Sequence, residues 1–151
     1  MRCLIVTGAL ALGATSTAFA QQPRAAEANV RATLDRIARI DPHLHSVIAV
    51  DPTAIDQARR VDAGNLTGPL AAQPVLIKDN IESAGPLPTT AGSLALANNI
   101  TNRDAPLVAR LRSAGAVIVG KTNLSEWANI RSSRSISGWS AVGGQVRNPW
   151  A

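Results

Sequence analysis

Val30, Leu34, Ile37 and Ile40 recur at helical spacing, with Arg31, Asp35, Arg36 and Arg39 on other faces. That pattern predicts an amphipathic helix from Ala25 to Ile40, stopped by Asp41-Pro42. Leu44 to Val50 is a short apolar stretch with strand character. Pro52 opens a second predicted helix, ending near Ala63, with Arg59, Arg60 and Asp62 on its wet side; Gly64 to Gly68 is turn material. At Pro74 the pattern changes. Val75-Leu76-Ile77 is a compact apolar run with Pro before it and Lys-Asp-Asn after it, the signature of a buried strand whose carboxyl end opens into a loop. Gly85 to Thr90 reads as a loop, and Ser93 as the cap of a short helix over Leu94 to Asn98.

The most regular unit follows. Leu107, Val108 and Leu111 predict a helix from Ala105 to Ser113, with Gly115 as its stop. Ala116 to Val119 is a β-branched strand, and Gly120-Lys121-Thr122-Asn123 is the predicted turn after it. A further helix is expected over Leu124 to Ile130, and Arg131 to Ala151 shows no periodicity. Strand, helix and strand in that order predict an α/β fold with parallel pairing.

The first twenty residues stand apart. Met1-Arg2, a small-apolar run from Cys3 to about Ala14, and Ala18-Phe19-Ala20 make a basic start, an apolar stretch and an A-x-A site. This is the pattern of a secretory signal peptide cleaved between Ala20 and Gln21. The expected location is secreted or periplasmic, and the apolar run is shorter than the ~20 residues of a spanning helix, so no stable membrane insertion is expected after cleavage. Residues 21–151 then carry no cysteine, and a hydrophobic core must hold them in place of disulfides.

The chain has a formal charge of +5 and a pI near 11.0. Its basic residues are nevertheless dispersed, from Arg31 to Arg147, with no basic block and no interleaved aromatic platform. Nucleic acid is therefore not an expected partner. His43 and His45 have no Cys or carboxylate cluster beside them to complete a metal site, and no cofactor is expected. Gly138-Trp139-Ser140-Ala141-Val142 has Val where a nucleophile elbow needs Gly; Gly115 and Gly120-Lys121-Thr122 have the spacing of a phosphate loop, but the four residues between the glycines are the predicted strand Ala116 to Val119 and not a loop leading from a strand into a helix.

Only two lysines occur, Lys78 and Lys121, each after a predicted buried strand. The carboxyl ends of strands are where active sites gather in open α/β sheets. A lysine there is either solvated or paired, with Asp79 next to Lys78 as an available partner, or desolvated and neutral to act as a base. The second role is demanding. A free lysine near pKa ~10.4 is unprotonated in only about 1 molecule in 2,500 at pH 7, and lowering that pKa by ~3 units takes ~4 kcal/mol.

Pro74-Val75-Leu76-Ile77-Lys78-Asp79-Asn80-Ile81 resembles the segment that carries the catalytic lysine in amidase-signature enzymes. Thr89 to Ser93 is similar to the loop that follows it there, and Leu111 to Trp127 to the next block. Ser135 to Ser140, Gly143-Gly144-Gln145 and Arg147-Asn148-Pro149 look most like the bacterial peptide amidase branch. The resemblance implies the N-terminal part of the amidase-signature fold: a mixed, largely parallel sheet flanked by helices, incomplete in this chain. It also implies a Ser–cis-Ser–Lys mechanism acting on a small-molecule or peptide amide, with Lys78 as the catalytic lysine. Two departures stand out. The family usually has Gly-Ile before the proline, where this chain has Ala72-Gln73, and both catalytic serines are expected beyond Ala151. Two alternatives stay open: a non-catalytic remnant or binding module, and the amidase subunit of a tRNA-dependent amidotransferase.

Overall fold

The computed structural model describes residues 26–65, 67–130 and 132–150. The expected signal peptide and its cleavage site lie outside them. No described helix is long and apolar enough to cross a membrane.

Three strands form the main sheet in the order β1-β3-β2: β1 is Val47–Val50, β2 is Pro74–Lys78 and β3 is Val117–Thr122. β2 and β3 are parallel, joined through helix α3, Pro106–Ser113, whereas β1 runs antiparallel to β3. The sheet is therefore mixed. Side chains alternate across β3: Val117 and Val119 pack with Val30, Ala54, Ala58 and Val61, while Ile118 packs with Ile77 and Val108. Helices α1, Ala26–Leu44, and α2, Ala54–Asp62, supply the first of these clusters and α3 the second.

Polar side chains fix the ends of these elements. The Asp62 carboxylate accepts the backbone N–H groups of Ala26 and Glu27, capping α1 from a different helix. Asp51 is buried and accepts from the Thr53 amide, the Thr53 hydroxyl and the Gln57 amide, so α2 begins at Ala54 and not at Pro52. Gly115, at φ +88°, ends the α3 turn, in the left-handed conformation that glycine adopts without penalty.

Four further sequence expectations are corrected. Helix α1 continues through Pro42 to Leu44. A proline this close to the end forfeits one helical hydrogen bond with little chain left to disrupt. The turn itself is set by Asp41, whose carboxylate takes the N–H groups of Ser46 and Val47. Strand β3 runs on through Gly120, Lys121 and Thr122, which had read as a turn. Gly120 is required there, because a Cβ would lie 2.3 Å from the Ala49 carbonyl oxygen of β1. Ser93 makes no side-chain cap, and the helix beyond it is a three-residue 3-10 turn, Leu94–Leu96. The helix expected over Leu124 to Ile130 is a 3-10 turn, Glu126–Asn129, in which Trp127, Ala128 and Asn129 all have positive φ. Beyond it, β4 (Trp139–Ser140) and β5 (Gly144–Gln145) form a small hairpin in the segment that showed no periodicity.

Candidate functional site

Lys78 is the last residue of β2, paired across the sheet with Thr122, and its side chain is exposed. Asp79, the available partner, does not pair with it: no ion pair among the described residues involves Lys78. Asp79 points the other way. Its buried carboxylate accepts the Thr90 hydroxyl, in a short hydrogen bond, and the amides of Thr90 and Gly92 at 3.3 and 3.4 Å. The Asp79 carbonyl takes the Ala91 N–H, and the Asp79 N–H donates to the Thr122 carbonyl. One carboxylate therefore binds the loop of Thr89 to Ser93 to the strand end that bears Lys78.

The second lysine behaves differently. Lys121 is 0% exposed, and its Nζ donates to the Ile81 carbonyl at 2.7 Å and the Thr89 hydroxyl at 2.9 Å. Burial lowers its pKa, with the charges of Asp79 and Glu82 acting against that shift. The parallel ladder pairs it with Ile77, one residue before Lys78.

The later sequence blocks are tied together by side chains reaching backbone. The Asn123 amide donates to the carbonyls of His45 and Gly144, and its oxygen accepts the Ser140 hydroxyl at 2.7 Å. Ser125 accepts the Gly138 N–H and Glu126 accepts the Ala141 N–H. Trp127 N–H donates to the Ala91 carbonyl, which joins this group to the loop held by Asp79. Ser140 is fully buried, donates to Asn123 and accepts the Gly143 N–H, with no base bonded to it among the described residues, so its place in an elbow-like string is structural.

A cavity of about 530 Å³ opens beside this junction, lined among others by Asn80, Glu82, Thr89, Leu124, Trp127 and Ile130. Its volume falls within the range of about 300–1,000 Å³ common for small-molecule sites. The left-handed turn at Trp127 to Asn129 forms part of its wall. Strained backbone of this kind persists only where its surroundings over-determine it.

Sequence reasoning placed Lys78 at a strand end, where it lies. It missed Asp79 as the hub, Asn123 as the link to the hairpin and the full burial of Lys121. The available signal was composition: small and hydroxylated residues, Thr89-Thr90-Ala91-Gly92, follow an acidic residue that one backbone turn could not satisfy.

Comparison with known proteins places this arrangement. A sequence model of the amidase family matches residues 28–151. A probable amidase of Arabidopsis thaliana is 44% identical over 88% of this chain and 27% of its own length. A subunit of the glutamyl-tRNA(Gln) amidotransferase of Acidothermus cellulolyticus is 44% identical over 83% of this chain and 25% of its own. Among solved structures, the peptide amidase of Stenotrophomonas maltophilia superposes with a TM-score of 0.79 at 52% identity, over 83% of this chain and 27% of that one. The chain thus spans about a quarter of the length of the relatives it matches. With the matched region running from the first turn of α1 through β5, the chain belongs to the amidase family.

Proposed function

We propose that this chain supplies the lysine-bearing part of an exported amidase that hydrolyses carboxamides, C-terminal peptide amides among them, with Lys78 as the general base. The observation that carries this reading is the uncommitted Lys78 side chain at the carboxyl end of β2, beside an Asp79 whose carboxylate is taken up by the neighbouring loop. The peptide amide preference draws on the 52% identity to the S. maltophilia enzyme.

The chemistry needs a neutral amine, so Lys78, exposed in this chain, must be desolvated by the remainder of the complete enzyme. Lys78 Nζ accepts a proton from the middle serine, which takes the proton of the nucleophilic serine. The nucleophile's Oγ bonds to the amide carbon, the C–N bond breaks, and the returned proton leaves with ammonia. Water then hydrolyses the acyl-enzyme by the same relay. Neither serine matches a position in this chain, so the reading concerns the chain completed to the length of its relatives.

In that complete enzyme, Lys78→Ala should lower kcat for ammonia release from an amidated dipeptide by about 10³-fold, within the range for losing a general base, with the circular dichroism spectrum unchanged. A folded Lys78→Ala enzyme with near-normal kcat overturns the assignment. Export is checked on the same protein recovered from its native cell envelope, whose N-terminus should be Gln21; an uncleaved intracellular product removes export from the reading. The 44% identity to one chain of an amidotransferase favours a second reading. Under it, ammonia would form only with glutamine and the partner chains present, whereas the peptide amidase reading needs neither.

A further inference from the structure

Lys121 carries a cost that the proposed reaction does not explain. Its ammonium group is wholly buried, no carboxylate among the described residues lies within ion-pair distance, and its two hydrogen bonds go to a carbonyl and a hydroxyl. Desolvating a charge without an opposite charge in contact is unfavourable, and an apolar side chain of similar length would fill the space at lower free energy. The two hydrogen bonds are what distinguishes lysine from methionine here.

Both acceptors belong to the segment that leaves β2. Ile81, whose carbonyl takes one N–H of Lys121, donates its own N–H to the carbonyl of Lys78 at 2.9 Å. A continuous path thus runs from the Lys121 amine through the Ile81 peptide groups to the Lys78 backbone. Thr89, the other acceptor, directly precedes the Thr90 to Gly92 stretch gripped by Asp79. Lys78 is therefore held from two sides, through Asp79 on one and Ile81 on the other. Lys121 itself does not line the cavity, whereas Ile81 and Thr89 do.

We propose that Lys121 is a positioning residue for Lys78: it fixes the 78–81 turn and the Thr89 wall so that the Lys78 amine meets its proton donor in register. This inference rests on the reading of Lys78 as the base. A general base is sensitive to placement, since a displacement of about 1 Å costs on the order of 10²-fold in rate.

The test uses the complete enzyme with an amidated dipeptide as substrate. Lys121→Met keeps the packing and removes both hydrogen bonds. The expected result is a kcat about 10²-fold lower per folded molecule, with KM within about threefold of the parent because the amine does not touch the cavity. A folded Lys121→Met enzyme with unchanged kcat and only a lowered Tm would show a purely structural lysine and overturn the proposal. Thr89→Val, which removes one acceptor and keeps the shape, is the second variant and decides the matter if Lys121→Met does not fold. Its kcat should fall by about tenfold, a fraction of the full displacement effect, and a folded Thr89→Val enzyme with parental kcat overturns the proposal. Lys78→Ala is run alongside. If that enzyme stays active, the reading of Lys78 has failed; if it is inactive while Lys121→Met retains full kcat, only the role of Lys121 has failed.

Discussion

The sheet with its three helices and the connections beyond the strand ends are held together by different forces. In the first region, Val30, Ala58, Val61, Val117 and Val119 fill one face of the sheet, and Ile77, Val108 and Ile118 the other. In the second, from Asp79 to Ala105 and from Asn123 onward, order comes from Asp79, Asn123, Ser125 and Glu126 binding backbone groups far away in sequence. Apolar packing is non-directional and tolerates relaxation, whereas a buried acceptor works only at one geometry. The candidate base sits where the two regions join, on a packed strand but next to a polar hub.

The largest expected effect lies in the packed region. Ile118→Ala removes a fully buried side chain between the sheet and α3, and should cost about 3 kcal/mol, in line with other large-to-small core changes. The urea unfolding midpoint reads this directly. Asp79→Ala should cost less, about 2 kcal/mol, the scale of leaving buried donors without their charged acceptor. The two variants should also differ in kind. Ile118→Ala should lower the midpoint and leave the local order of residues 89–92 intact, while Asp79→Ala should speed amide exchange at Thr90 and Gly92 beyond its effect on global unfolding. If Asp79→Ala proves the more destabilising of the two, the polar hub carries the fold and the contrast between the regions collapses.

That contrast also explains how much could be read in advance. Strands β2 and β3, helix α3 and its Gly115 stop were legible, because Val75-Leu76-Ile77 and Val117-Ile118-Val119 are apolar runs and Leu107, Val108 and Leu111 keep a helical spacing. The parallel pairing of β2 with β3 followed from the helix between them. Lys121 defeated the same reasoning. A lysine after glycine looks like the start of a turn, yet here its amine is hydrogen-bonded inside the protein by groups 32 and 40 residues away. The left-handed turn at Trp127 to Asn129 was hidden for a similar reason: the Ala91 carbonyl, and the Gly138 and Ala141 amides, divert the chain from a helix that its composition allows. Periodicity reports which faces are buried; it carries no record of which distant polar group a side chain will meet.

The smallest expected effect concerns a place where sequence and backbone disagree. Ala72 stands where the resemblance to amidase-signature enzymes calls for glycine, and its φ is +70°. A Cβ in that region clashes with its own backbone, at about 1–2 kcal/mol. Ala72→Gly relieves the strain, but it forfeits a buried methyl worth about 0.8 kcal/mol and adds freedom to the unfolded chain. These terms nearly cancel, leaving a net change of no more than about 0.8 kcal/mol in either direction, read as the direction in which the urea midpoint moves. The position is informative because Ala72 packs in the apolar cluster of the sheet and its carbonyl accepts the Asn29 side chain at 3.1 Å, so it belongs to both kinds of order at once. A rise in the midpoint means the backbone geometry there is imposed by its surroundings and the methyl is tolerated. A fall means the methyl's packing outweighs the strain, and the first region extends, by apolar contact alone, up to the proline that begins the lysine strand.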